Sequence, residues 1–262
     1  MTKQNILHSL QDSAERGNKQ IALLVDPDKV QQDLLDKLEE AEAAGVLDFV
    51  FIGGSLISEG NLDNTVRRVK ERLGNTPVVL FPGASFHISE RADGILFLSL
   101  VSGRNPEFLI GQQVLAAPRL SRSNLEVCPT AYLLIDGGAP TSASYMSNTL
   151  PIPRDKPDIA ACTALAANMM GMKMVFMDAG SGAKNAVSPE MVSAVRSRVN
   201  CPIIVGGGLR SSKAIQDVFD AGADLTVIGS MFEQEAEEVI RMLREVKRVS
   251  KGKQEKIIES IR

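Results

Sequence analysis

Two short apolar runs, each closed by glycine, constrain this chain more than any other feature. Residues 202–211 read Pro-Ile-Ile-Val-Gly-Gly-Gly-Leu-Arg-Ser, and residues 224–230 read Asp-Leu-Thr-Val-Ile-Gly-Ser. Continuous β-branched runs suit strands buried on both faces, and terminal glycine lets backbone N–H groups approach a ligand closely. Between the runs, Ala214, Ile215, Val218 and Phe219 recur at helical spacing, and Ala221-Gly222 supplies a stop. The unit is strand, glycine loop, helix, strand, glycine loop. In a (β/α)8 barrel the loops after the seventh and eighth strands are the common place for a phosphate. A single Gly-Gly-Gly is equally a tight turn; the two loops together favour a phosphate clamp.

The rest of the chain repeats the alternation. Residues 5–17 form a short leading helix with Ile6, Leu7, Leu10 and Ala14 on one face, and 21–25 form a first strand ending in Asp26-Pro27-Asp28-Lys29. A helix over 30–44 ends at Gly45; a strand over 48–52 leads to Gly53-Gly54-Ser55; a helix over 62–73 precedes a strand at 78–81. Only residues 82–93 separate that strand from the next, at 95–98. This is too short for a loop, a helix and a return, so the third helix of a regular barrel is expected to be absent, leaving a groove in the wall. Asn105-Pro106-Glu107 opens a helix, and 132–135 is the fifth strand. Residues 136–157, rich in Gly, Pro, Ser and Thr, read either as a lid or as a plain surface loop. A helix over 159–170, a strand over 174–178, a helix opened by Ser188-Pro189-Glu190 and a closing helix complete the order; in that last helix Val239, Met242, Leu243 and Val246 face inward and residues 233–238 load the first turns with acid. Eight strands alternating with about seven helices make one α/β domain, a (β/α)8 barrel, from 262 residues.

Composition narrows the classes further. Hydrophobic residues are 44% and charged residues 23%, enough for an ample soluble core, and a net charge of −3 with interspersed signs offers no footprint for nucleic acid. Cys128, Cys162 and Cys201 are isolated and odd in number, which fits reduced thiols, and two histidines argue against a histidine-rich zinc site. The first twenty residues lack the apolar core of a secretory signal, so a cytoplasmic location is expected. Residues 159–177 are apolar enough to suggest a membrane span, but Thr163, Asn168 and Lys173 interrupt them and Gly171 divides a helix-like half from a strand-like half. That helix is apolar around nearly its whole circumference and must be covered on both sides. A second subunit is the expected cover, making a homo-oligomer; the 136–157 loop is the alternative.

Catalytic groups in this fold lie at the C-terminal ends of strands. There the chain offers Asp26, Asp28 and Lys29, then Ser55, Asp136, Asp178 and Ser181. Asp26 with Ser55 gives hard oxygen donors suited to a magnesium completed by waters and substrate phosphates, or else plain turn and cap chemistry. Asp178, ahead of Gly180-Ser181-Gly182, is a candidate base, or else a cap. A clamp, a magnesium-type site and a carboxylate around one mouth suggest a phosphorylated acceptor beside a diphosphate donor.

As a set, Leu24-Val25-Asp26-Pro27-Asp28-Lys29, Ile52-Gly53-Gly54-Ser55, Phe176-Met177-Asp178-Ala179-Gly180-Ser181-Gly182-Ala183, Val205-Gly206-Gly207-Gly208-Leu209-Arg210-Ser211 and Val227-Ile228-Gly229-Ser230 resemble the geranylgeranylglyceryl phosphate synthase family, which also contains bacterial heptaprenylglyceryl phosphate synthases. Asn105-Pro106-Glu107 with Ile110-Gly111-Gln112-Gln113, and Pro129-Thr130-Ala131-Tyr132 with Ile135-Asp136-Gly137-Gly138, are similar to its longer, second group. The resemblance implies a barrel without its third helix and a magnesium-dependent transfer of a polyprenyl group, usually geranylgeranyl, from its diphosphate to the C3 hydroxyl of sn-glycerol 1-phosphate. It implies that Asp26 and Ser55 hold Mg2+, that Phe176, Met177, Asp178, Ala179, Gly180, Ser181 and Gly182 hold the glycerol moiety, and that Gly207, Gly208, Gly229 and Ser230 bind its phosphate. Lys29 and Asp178 would be the catalytic groups, and the lipid substrate implies peripheral contact with a membrane.

The chain departs from the family pattern where Tyr-Leu-Glu is usual: Phe176-Met177-Asp178 loses a phenol and shortens the carboxylate by one methylene. Ser102-Gly103 stands for a usual Asn-Ser before Arg104, and Ala131 for a usual Gly. Two other functions stay open. One is an isomerase or aldolase acting on a sugar phosphate, for which Lys173 and His87 are poorly placed; the other is a phosphate-binding homologue that has lost catalysis.

Overall fold

In the computed structural model, which describes residues 5–261, eight parallel strands close on themselves in sequence order. They are β1 Gln20–Val25, β2 Phe49–Gly54, β3 Val78–Pro82, β4 Gly94–Leu100, β5 Glu126–Leu134, β6 Met174–Asp178, β7 Ile203–Gly206 and β8 Leu225–Ile228. Closure is made by β8 on β1, with Leu225 opposite Gln20 and Ile228 opposite Leu23. The helices are α1 Ile6–Glu15, α2 Gln32–Ala43, α3 Leu62–Arg72, α4 Gln112–Leu120, α5 Ser142–Ser147, α6 Pro157–Met169, α7 Pro189–Arg196, α8 Ser212–Asp220 and α9 Ser230–Ile261.

Side chains alternate across each strand, so a closed sheet sorts them into two cores. Ala22, Phe49, Phe51, Val79, Leu96, Cys128, Met174, Ile204 and Leu225 fill the inside of the barrel, while Ile21, Leu23, Val50, Ile52, Leu133, Val175 and Met177 face the helices. The leading helix closes the N-terminal end of the barrel: Ile6 and Leu10 of α1 are buried with the interior cluster. Its first-turn N–H groups need acceptors, and the carboxylate of Glu126, at the start of β5, accepts from Ile6 at 2.6 Å and Leu7 at 2.9 Å.

The expected gap is present, since residues 83–93 run from β3 to β4 without a helix. This strap is fastened by Ser89 to Asp63 (2.7 Å) and by the Ser85 N–H to Gln112 (2.6 Å). Four expectations need correction. The fifth strand starts at Glu126 rather than 132, because Pro129 lies opposite Phe97 inside the ladder and its carbonyl still accepts from Lys173; the proline hid a strand from pattern reading. The 136–157 stretch is not loop throughout: Thr141 and Ser144 form a reciprocal cap that starts α5, and Ile152 bridges Ile135. Residues 27–29 form a 3-10 turn that delays the next helix to Gln32. The closing helix is broken at Glu235, so its acidic first turns do not form one continuous start.

Residues 159–177 split as expected into α6 and β6 around Gly171, and among the described residues no helix is long and apolar enough to cross a membrane. α6 buries Ala160, Ala161, Ala164 and Ala167 and leaves Ile159, Met169 and Met170 exposed, so the 136–157 stretch does not cover those three. The three cysteines are free.

Replacing Glu126 with Ala leaves two buried-end N–H groups of α1 without their acceptor. We expect a loss of about 1–3 kcal/mol of stability, read as a lower midpoint in chemical denaturation. A variant as stable as the parent would show that α1 is held by its apolar face alone.

Candidate functional site

At the C-terminal end of the barrel the interior opens into a cavity of about 330 Å3. It is lined by loops after β1, β2, β6, β7 and β8, by β3 and β4, by α4 and α5, and by residues 83–85 and Ile88 of the strap. Most of the residues singled out from the sequence meet here: Asp26, Lys29, Ser55, Phe176, Asp178, Gly180, Ser181, Gly182, Gly207, Gly208, Gly229 and Ser230. Met177 and Ala179 do not reach the cavity. Strand alternation turns Met177 outward into the layer beneath the helices, where Ala179 is also buried.

The centre of the site is Asp178, the last residue of β6, buried at 8% exposure. Its Oδ1 accepts the Gly180 N–H at 2.8 Å, and its Oδ2 accepts the Tyr132 phenol at 2.5 Å. The cap reading is therefore half right, since one oxygen does hold the following turn. Burial pushes the carboxyl group above its ordinary range; the Tyr132 and Gly180 bonds oppose that, and the net direction is upward. Such a group lies nearer than an exposed aspartate to the proton affinity a general base needs.

Beside Asp178 the glycine loops form a concave wall. Gly207 has φ +79°, and a Cβ there would lie 2.6 Å from the Gly180 nitrogen and 2.8 Å from Asp178 Oδ1. Only a residue without a side chain permits that approach. Across the wall, the Ser181 and Ser230 hydroxyls are 2.8 Å apart. These hydroxyls line the cavity beside Gly207, Gly208 and Gly229, a concave glycine-rich cradle of the chemistry that suits a phosphate at this end of a barrel.

On the β1 side, Lys29 pairs with Glu233 at 2.9 Å and with Asp26 at 3.3 Å. Burial acts to lower the Lys29 ammonium, but the bonds and charges of Glu233 and Asp26 outweigh it and its pKa is raised, so Lys29 is a fixed cation at the mouth. Asp26 Oδ1 also caps the 27–29 turn through the Asp28 N–H at 3.0 Å. Asp28 itself is structural: it accepts from the N–H groups of Ser58, Glu59 and Gly60, which hold its carboxyl down at about 2, and so it fastens the loop after β2. Asp26, Ser55 and Glu233 are all oxygen donors lining the cavity, and the described residues form no cluster of three or more His, Cys, Asp or Glu able to bind a metal by themselves. That donor set fits a magnesium that keeps waters and is completed by substrate phosphates.

The other half of the cavity is apolar. Phe81, Leu98, Leu100, Phe108, Ala116 and Leu120 line an arm running towards the strap, where the third helix would otherwise stand. Two residues escaped the sequence reading. Tyr132 reads locally as a plain strand residue, though alternation from Ala131 and Leu133 places it inward; Glu233 reads as part of a helix start, and its return to Lys29 depends on barrel closure, which no local signal carries.

A search against known families matches residues 15–247 to the PcrB family. The chain belongs to that family. Among curated relatives, the geranylgeranylglyceryl phosphate synthase of Chitinophaga pinensis is 52% identical, the match covering 88% of this chain and 91% of the relative, and that of Spirosoma linguale is 49% identical, covering 86% and 90%. Among solved structures, the (S)-3-O-geranylgeranylglyceryl phosphate synthase of Thermoplasma acidophilum in complex with substrate sn-glycerol-1-phosphate superposes with a TM-score of 0.86 at 34% identity, covering 94% of this chain and 98% of that one. The family suggested by the motifs and the (β/α)8 barrel are both borne out.

An alanine at Gly207 would meet both the φ cost, ~1–2 kcal/mol for a residue with a Cβ, and the contact with Asp178. Gly207→Ala is expected to lower turnover at least about a hundredfold by displacing the carboxylate, with a lower melting temperature. Steady-state rates within a few-fold of wild type would mean that the wall relaxes without disturbing the site.

Proposed function

We propose that the protein transfers a polyprenyl group, geranylgeranyl in its relatives' name, from the diphosphate to the C3 hydroxyl of sn-glycerol 1-phosphate, with Mg2+ as cofactor. The observation that carries this reading is one cavity that joins a donor-rich glycine cradle, a buried carboxylate and an apolar arm. The names of the relatives and the ligand of the Thermoplasma acidophilum structure support the same reading.

In this reading Gly207, Gly208, Gly229 and Ser230 bind the acceptor phosphate, and the segment from Phe176 to Gly182 holds the glycerol. Asp178 accepts the proton of the C3 hydroxyl as the glycerol oxygen bonds to the allylic carbon, while the bond from that carbon to the diphosphate oxygen breaks and the diphosphate leaves. Lys29, held at the mouth, receives negative charge on the leaving group. Magnesium held by Asp26 and Ser55 would supply further charge neutralisation there. The apolar arm takes the prenyl chain. The enzyme works in the cytoplasm, in peripheral contact with a membrane through its lipid substrate, as a homo-oligomer whose second subunit covers Ile159 and Met169 of α6 and Met170 just beyond it.

A sugar-phosphate aldolase or isomerase is less well supported. The cavity lining includes one lysine, Lys29, which is ion-paired, and no histidine, while Lys173 lies at the opposite end of β6.

The decisive measurement is turnover of radiolabelled sn-glycerol 1-phosphate with a ladder of prenyl diphosphates and Mg2+. No product with any of them would reject the transferase reading and leave a phosphate-binding protein. Asp26→Ala should abolish that turnover while acceptor binding, followed by calorimetry, stays within a few-fold; magnesium-dependent activity in this variant would remove Asp26 from the metal site. Asp178→Asn should keep the fold and cost roughly a hundredfold or more in rate. A variant within about threefold of wild type would leave Asp178 with its capping role alone.

A further inference from the structure

Tyr132 has no part in the reaction as outlined, yet its phenol is bonded directly to the carboxylate at the centre of the site. The O–H donates to Asp178 Oδ2 at 2.5 Å. The residue is 8% exposed, and its ring packs against Phe81 (centroids 6.0 Å apart) and edge-on against Phe176 (5.6 Å). Register fixes this arrangement, because Tyr132 on β5 lies directly opposite Phe176 on β6, two residues before Asp178. The phenol absent at position 176 is therefore present one strand away.

We propose that Tyr132 is a positioning residue that holds the Asp178 carboxylate ionised and aimed at the acceptor hydroxyls. The proposal rests on the transferase reading above and names how that site keeps its base ready. With Oδ2 fixed by Tyr132 and Oδ1 by Gly180, each oxygen retains a lone pair for a substrate hydroxyl, and neither can rotate away. A buried carboxylate needs such donors to stay charged: burial raises Asp178, and these two bonds pull it back. Tyr132 is itself pushed well upward, first by burial and then by the charge of Asp178, so it remains a protonated donor.

No other titratable side chain bonds Asp178 among the described residues. The groups facing it are Tyr132 from β5, and the backbone of Gly180 and Gly207 from the loops after β6 and β7. The charged residues elsewhere in the cavity lining are Asp26, Lys29, Arg210 and Glu233, with Lys29 neutralising two of them.

Tyr132→Phe removes one oxygen and keeps the ring contacts. We expect kcat/KM for sn-glycerol 1-phosphate to fall roughly tenfold to a hundredfold near neutral pH, with the KM for the prenyl diphosphate little changed. The acidic limb of the pH profile should move up by about one pH unit or more, the scale of one lost hydrogen bond to a charge. A purely structural role would lower the rate at every pH by one factor, so a variant profile that superimposes on wild type after scaling overturns the proposal. A second arm needs no substrate. The chain has two tyrosines, and Tyr145 is 85% exposed, so fluorotyrosine labelling gives two separable signals. The buried signal should shift with pH as Asp178 titrates and stop doing so in Asp178→Asn; the same titration in both proteins also overturns the proposal. If wild type shows no transfer, the transferase reading fails, and the fluorine titration still decides whether Tyr132 governs Asp178.

Discussion

Closure of the sheet between β1 and β8 is the constraint on which the rest of this structure depends. Closing the barrel joins residues about two hundred positions apart, and the loop entropy of that contact must be offset by strong local interactions along the seam. They are present at both ends. At the N-terminal end, the Gln20 N–H reaches the Asp224 carbonyl at 2.9 Å, Lys19 reaches the Ala223 carbonyl at 2.6 Å, and Lys19 also pairs with the Asp224 carboxylate at 3.7 Å. At the C-terminal end the same seam brings Lys29 to Glu233. A bond that serves closure thereby also sets a cation at the mouth of the cavity.

Closure has a second consequence, because inward-facing side chains must fill a tube of fixed width. The lower layers do so with Phe49, Phe51, Leu96 and Met174, and α1 seals the end with Ile6 and Leu10. Towards the C-terminal end the inward positions become Gly206, Asp178 and Tyr132, and the tube opens. A leucine in place of Asp178 would suit an apolar core better than a carboxylate whose burial opposes its charge. The carboxylate instead holds the Gly180 turn with one oxygen and the Tyr132 phenol with the other, and the close approach at Gly207 belongs to the same geometry.

Much of this was legible in the sequence, for identifiable reasons. Parallel strands buried on both faces give continuous apolar runs, so β1, β6, β7 and β8 declared themselves, and glycine at the ends of the last three marked the cradle. The missing third helix followed from chain length alone. What the sequence hid was non-local or locally contradictory. Pro129 concealed residues 126–131 of β5, and the cap at Thr141 that starts α5 lay inside a stretch whose composition reads as loop. The partnership of Tyr132 with Asp178 is set by register between neighbouring strands, and two strands read separately do not state their register.

The order of strands also divides the cavity by chemistry. Loops after β6, β7, β8, β1 and β2 contribute glycine amides, hydroxyls and the Lys29 cluster, whereas β3, β4 and the helix after them contribute Phe81, Leu98, Leu100, Phe108 and Ala116. A barrel with its third helix in place would close the wall beside β3 and β4; the short strap leaves room there for an apolar arm. The two arcs meet between β2 and β3 and again at β5–β6, and at the second of these Tyr132 and Asp178 stand on either side. In the proposed transfer, a hydroxyl presented from the polar arc and an allylic carbon presented from the apolar arc would approach each other at the β5–β6 boundary, beside the buried carboxylate.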